Sequence, residues 1–389
     1  MSIALAWTPW DLMYPMVTEH LRLGALATAM VIAACSSSRD DYPLEGTWTT
    51  AAPMPVELIE SCAATLPDGR VLVAGGRPQG GANVRSTNAT WLYDAAANAF
   101  TDGPQMELAH AGGACFRSPM GKVVVVGGGP ATKSFGGSST AIDAGAFTVE
   151  VLDGPTAKWK SDAHTLRTGS GRATAMLPDG RIVLIGGMSR GGAPEDKLAS
   201  AEMFAPDTGV WTDLPDAPRA KGSGSVAVAL GRKILVVDGT EADLLDADTG
   251  AWSQAPPPPQ AVAVAGVASL DGTFAVLDGD SRKSFNARAS SFDVASSSWA
   301  SPAAGTGDSR NAPNPASCGA ALAAIGPRRI ACISHQSAFL IGSGTGAAVQ
   351  TPRIPSDGGG LARGTAALLA DGRLVVFEYL GKYTVVLTP

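Results

Sequence analysis

The chain has 389 residues, with 29 Lys and Arg against 35 Asp and Glu for a formal net charge of −6. The basic residues are dispersed, which excludes the electrostatic footprint of a protein that binds double-stranded nucleic acid. The 47 Gly and 27 Pro fit short strands and many turns, and regular Val, Ile and Leu runs exclude disorder over most of the length.

At the N-terminal end, residues 23–32 form a short apolar stretch preceded by Arg22 and followed by Ala33, Ala34, Cys35 and three serines. It is too short to span a membrane and has the layout of a secretory signal, residues 1–34. Residues 1–15, with Trp7, Pro9, Trp10 and Pro15, fit neither a signal nor the repeat that follows, so translation from Met16 is expected. Ile32-Ala33-Ala34-Cys35 resembles a bacterial lipobox. The resemblance implies cleavage before Cys35, acylation of Cys35 and, with Ser36 next, an outer-membrane destination. Acyl chains anchor a domain at about 0.8 kcal/mol per buried CH₂. The alternative is an ordinary cleaved signal with a chance cysteine. Residues 35–45 would then be a short tether.

From residue 46 onward an apolar run is folded back on itself seven times. Residues 66–76 read Leu-Pro-Asp-Gly-Arg-Val-Leu-Val-Ala-Gly-Gly, and residues 177–187 repeat that plan almost letter for letter. Asp-Gly between β-branched runs supplies the positive-φ positions of a hairpin turn. Weaker copies turn at Gly121, Gly231, Asp271-Gly272, Pro327-Arg328 and Asp371-Gly372. Between hairpins lie an apolar-polar alternation, a polar turn and an aromatic: Phe100, Trp159, Trp211, Trp252 and Trp299, with Val349 in the sixth unit. Each unit of about 40 to 58 residues therefore holds four short antiparallel strands, as a propeller blade does. The recurring Trp position predicts packing between blades. Length alone would allow two or three domains, but a repeat without a linker predicts one, residues 46–389. Trp48 lies in a strand with no hairpin before it, and residues 374–387 give a hairpin and third strand with nothing after. Joining them completes a seventh blade and removes the free edges.

The Gly-Gly strand ends, Tyr93-Asp94, Phe204-Ala205-Pro206 and the Thr208-Gly209-Val210-Trp211 turn resemble the kelch repeat, in its bacterial form with Leu-Pro-Asp-Gly-Arg. The resemblance covers roughly residues 46–389 and implies an all-β, seven-bladed kelch-type β-propeller, a fold that hosts binding modules, scaffolds and a minority of enzymes. Blade 2 lacks the Asp before Gly121, blade 5 has Asp278-Gly279-Asp280 for Gly-Gly, and blade 6 ends in Ser334-His335.

Four cysteines follow Cys35. Export permits disulfides, and four cysteines allow three pairings. Cys318 with Cys332, flanking the blade 6 turn, and Cys62 with Cys115, at near-equivalent places in blades 1 and 2, are expected; the alternative is buried free thiols. No CxxC or HxxxH spacing suits zinc, so no metal is expected.

Function is sought on the face formed by the loops after each Gly pair and before each inner strand. Glu60, His110, His164, Arg167, Arg219, Arg310 and Arg363 are the candidate binding residues there, against a reading in which they are solvated loop positions. An arginine-rich rim would suit a carboxylate or acidic sugar. Gly187-Met188-Ser189-Arg190-Gly191 matches a nucleophile elbow but lacks the following helix. Gly127-Gly128-Gly129 has no βαβ context, so no dinucleotide or other cofactor is expected. A resemblance to the copper oxidases of the kelch fold would need two His, two Tyr and a cross-linked Cys around the axis. Only Tyr42, Tyr93, Tyr379 and Tyr383 remain after signal removal, a poor supply. The sequence thus predicts a monomeric envelope lipoprotein that binds or scaffolds a protein or glycan, touching the membrane only through its anchor. The alternative is a carbohydrate-active enzyme drawing on His110, His164, Glu60, Arg167 and Arg219.

Overall fold

The computed structural model describes residues 44–78, 85–128, 144–154, 157–189, 196–268, 271–279, 290–300, 321–333, 337–342, 348–355, 364–378 and 382–389. The expected signal, Cys35, most of the tether, Arg310, Cys318 and Arg363 lie outside the described residues.

Local chemistry sets the hairpins. Gly69, Gly180 and Gly372 sit at φ 87°, 88° and 87°, a left-handed conformation open to glycine at little cost. The Asp before each accepts from the backbone N–H two residues on: Asp68 from Arg70, Asp179 from Arg181 and Asp371 from Arg373, each at 3.1 Å. Blade 5 uses the same device between Asp271 and Thr273, at 3.1 Å.

Each hairpin continues into a third strand, and a fourth, outer strand completes each of seven four-stranded antiparallel sheets. Blade 3, for example, runs Ala173–Met176, Ile182–Ile185, Ala201–Ala205 and Val210–Leu214 from inner to outer strand. The protein is an all-β, seven-bladed propeller, and among the described residues the one helical element is the 3-10 turn Ala144–Phe147. No helix among those residues is long and apolar enough to cross a membrane.

Second strands such as Val123–Val126 and Ile182–Ile185 are apolar and buried at every position, because neighbouring blades cover both faces. Alternate side chains serve opposite neighbours. Ile182 and Leu184 pack with Val124, Val126 and Val149 of blade 2. Val183 and Ile185 pack with Ala227, Ile234 and Val236 of blade 4. One such cluster fills each of the seven blade junctions.

Blade 7 takes three strands, Gly364–Leu368, Leu374–Glu378 and Thr384–Thr388, from the C-terminal end and its outer strand, Thr47–Thr50, from the N-terminal end. Trp48 stands opposite Leu387 in that pairing. A repeated hydrogen bond ties the blades together on the outside. The indole N–H groups of Trp48, Trp159, Trp211, Trp252 and Trp299 each donate to the segment just after the preceding blade's outer strand. Their acceptors are Thr351 Oγ1 at 2.8 Å, Pro104 O at 2.8 Å, Asp162 Oδ1 at 3.1 Å, Pro215 O at 3.0 Å and Pro256 O at 2.8 Å. Cys62 and Cys115 join the inner strands of blades 1 and 2 in a disulfide with Cα atoms 5.4 Å apart. Cys332 is also disulfide-bonded.

Candidate functional site

Strand direction gives the propeller two unlike ends. The hairpin turns gather at one. At the other, the Gly-rich ends of the second strands meet the loops that lead from each outer strand into the next inner strand.

The lead-in loops of blades 2, 3 and 4 are each fastened to an acid on the third strand of the blade they join. Glu150, Glu202 and Asp243 hold the same register position, opposite Val125, Leu184 and Val236 of their second strands. In blade 2, His110 is 2% exposed and Glu150 0%. His110 Nε2 stands 2.9 Å from Glu150 Oε2 and Nδ1 stands 3.1 Å from Gly127 O; both contacts are hydrogen bonds when the ring carries two protons. Glu150 Oε1 accepts from the N–H groups of Glu107 and Leu108, at 2.9 and 3.0 Å, and from the Ser161 hydroxyl at 3.0 Å.

In blade 3, Glu202 Oε1 accepts from the Thr168 N–H at 2.9 Å and its hydroxyl at 2.6 Å. Glu202 Oε2 meets His164 Nε2 at 3.0 Å and the Arg167 N–H at 3.3 Å. His164 stacks on Trp211 with ring centroids 4.2 Å apart. The Arg167 guanidinium turns outward to Asp216 at 2.9 Å and Asp213 at 3.4 Å. In blade 4, Lys221 is 0% exposed and donates to Asp243 Oδ2 at 2.6 Å. Arg219 donates to Asp243 Oδ1 at 2.8 Å and pairs with Glu241 at 3.0 Å. Blade 1 fastens its lead-in bend from the other side. Glu60, at φ 60°, pairs with the buried Arg77 guanidinium, and its carbonyl accepts from Gly112 N–H at 2.8 Å. Buried charges are retained where they are paired and hydrogen-bonded, and these pairs hold the loop face in one arrangement.

Of the candidate residues read from the sequence, His110, His164, Arg167, Arg219 and Glu60 thus sit at the loop end, engaged with partners in their own blade or an adjoining segment. The acids Glu150, Glu202 and Asp243 carry no motif and become visible only through that packing.

One cation at this end is different, and the sequence reading did not single it out. Arg172 stands just before the inner strand of blade 3 and is 9% exposed. Its Nη2 donates to Ala146 O at 2.7 Å. Among the described residues its Nε and both N–H bonds of Nη1 find no partner. Burial lowers its pKa to about 10, with Glu202 opposing the shift. Arg172 lines a cavity of about 90 Å³ together with Gly112, Gly113, Ala114, Val126, Gly128, Gly171 and Thr174. A larger cavity, about 610 Å³, opens among the inner strands at the hairpin end. Its charged groups are engaged: Arg117 donates to Thr65 O at 3.3 Å, and Asp271 accepts from Thr273 and faces Arg328 at 3.5 Å. Among the described residues no cluster of three or more His, Cys, Asp or Glu could hold a metal ion.

No protein-family model matches the chain, and no curated protein matches it. Among solved structures it is similar to one described as "Streptogramin B lyase structure", with 11% identity over 88% of this chain and 98% of that chain and a TM-score of 0.51. At that identity the likeness concerns the fold alone, and fold does not carry function.

Proposed function

We propose that the protein is a kelch-type propeller acting as a monomeric binding or scaffolding module for a protein or glycan at the bacterial cell envelope. The segment before Cys35 exports it, and acylated Cys35 anchors it in the outer membrane. The observation that carries the binding role is the fastening of four successive lead-in loops by Glu60, Glu150, Glu202 and Asp243. Loops already fixed by buried pairs lose little conformational freedom when a partner docks, so more of the contact energy appears as affinity. The Cys35 anchor rests on its lipobox-like setting.

Two measurements test this reading. Labelling with a radioactive fatty acid should mark the wild type and not Cys35→Ala. Envelope glycans and proteins captured on the wild type should be lost when Arg167→Ala and Arg219→Ala are combined. Retention of every captured ligand by that double variant would overturn the loop-face assignment.

A carbohydrate-active enzyme is the second reading. It is favoured by His164, a partly exposed ring whose Nε2 is held by Glu202, the way an orienting carboxylate sets a general base. Turnover of a sugar that disappears in His164→Ala would replace the binding role with it.

A further inference from the structure

We infer that the cavity between blades 2 and 3 is a binding site for one carboxylate group, with Arg172 as the residue that recognises it. This deepens the binding reading above and rests on it.

The repeat itself marks Arg172 as an exception. By strand register the same position holds Ser61 in blade 1, Gly113 in blade 2, Ser225 in blade 4 and Gly364 in blade 7. The fold is satisfied there by a small residue, so the arginine answers some other need. The junction is exceptional too. Inner strands of adjacent blades pack against one another around the axis, and the contact between Ala114–Arg117 of blade 2 and Ala173–Met176 of blade 3 is the slightest in the ring. The cavity lies in that gap.

The gap is shaped for a charged occupant. A Cβ on Gly127 would fall 1.9 Å from Arg172 Nη1, so the glycine makes room for the guanidinium. Among the described residues three N–H bonds of this buried cation lack acceptors, which is costly unless a ligand supplies them. The volume admits a group of a few heavy atoms and exceeds the roughly 10–15 Å³ that one water needs. Among the described residues Arg172 is the one charged side chain lining it. A monoanion would neutralise it, whereas a dianionic phosphate would leave excess negative charge in a site that already feels Glu202. A planar carboxylate also matches the guanidinium plane.

The experiment titrates the full chain with sodium acetate, sodium glucuronate, sodium chloride and sodium phosphate at constant ionic strength, by calorimetry and thermal melting. Acetate should bind and raise the melting temperature; chloride and phosphate should do neither. Glucuronate binding more tightly than acetate would assign the carboxylate to an acidic sugar, and equal or weaker binding to a small free acid. Arg172→Ser, the residue of blades 1 and 4, should weaken acetate by about ten- to a hundredfold. Arg172→Lys, which keeps the charge and guards against a folding defect, should lose less. No acetate binding to the wild type, or equal binding to Arg172→Ser, overturns the proposal. No acetate response from the wild type, with envelope capture intact, would sink this site and leave the binding reading standing.

Discussion

Trp48 Nε1 donates to Thr351 Oγ1 at 2.8 Å, joining residues 303 positions apart. Thr351 in turn accepts from Ala338 N–H at 2.9 Å, so the N-terminal strand is tied to blade 6 as well as paired within blade 7. Trp48→Ala should lower stability by about 3–5 kcal/mol, the usual cost of truncating a buried Trp. Deleting residues 46–50 should cost more, since it also exposes the edge of Thr384–Thr388. Urea denaturation of the two variants checks both.

The fastened loops predict a contrast between two acids. Asp243→Ala would strand Lys221, which is wholly buried, and should cost about 3–5 kcal/mol. Asp68→Ala breaks a pair with Arg70 that is about one-third exposed on each side and should cost at most about 1 kcal/mol. Equal midpoints for the two variants in urea would show that the Asp243 pair is not holding the loop.

Asp179 predicts an acid limb. Partial burial alone would raise its pKa, but hydrogen bonds from Arg181 and Arg232 outweigh that and lower it from 3.8 to about 2. A carboxyl whose folded pKa is depressed contributes stability above its unfolded value and loses it as pH falls. Wild-type stability should therefore drop between about pH 4 and pH 2 more steeply than that of Asp179→Asn. Parallel curves of urea midpoint against pH would contradict this.

The Cys62–Cys115 bond closes a loop with a sequence separation of 53. In the chain-entropy treatment that is worth about 4 kcal/mol. The paired variant Cys62→Ala, Cys115→Ala should melt below the wild type without reductant, and reduction with alkylation, which also opens the bond at Cys332, should lower the wild-type melting temperature at least as far.

Much of the fold is legible in the sequence because its determinants are local. Asp-Gly pairs write the hairpins, the two-residue alternation of Ile182 to Ile185 writes the two neighbours of a blade, and Trp211 recurs where an indole can reach the preceding blade. The loop end is less legible. His110 and His164 announce themselves as rare residues, but Glu150 and Glu202 look like ordinary polar positions in alternating strands. Their burial follows from loops that fold back over them, which no spacing records. Arg172 left one trace, a charge where Ser61, Gly113 and Ser225 stand. Its meaning depends on Gly127 and on the gap between two inner strands, both products of assembly.

The lead-in loops of blades 1 to 4 are held by hydrogen-bonded acidic side chains, whereas Nε and Nη1 of Arg172 have no partner among the described residues. An unpaired cation whose pKa is lowered by burial opposes folding at every pH below about 10. The most direct measurement is the urea midpoint of Arg172→Ser at neutral pH without added carboxylate. A midpoint equal to or above that of the wild type is expected; a fall comparable to that of Asp243→Ala would mean that Arg172 serves the fold and not a ligand.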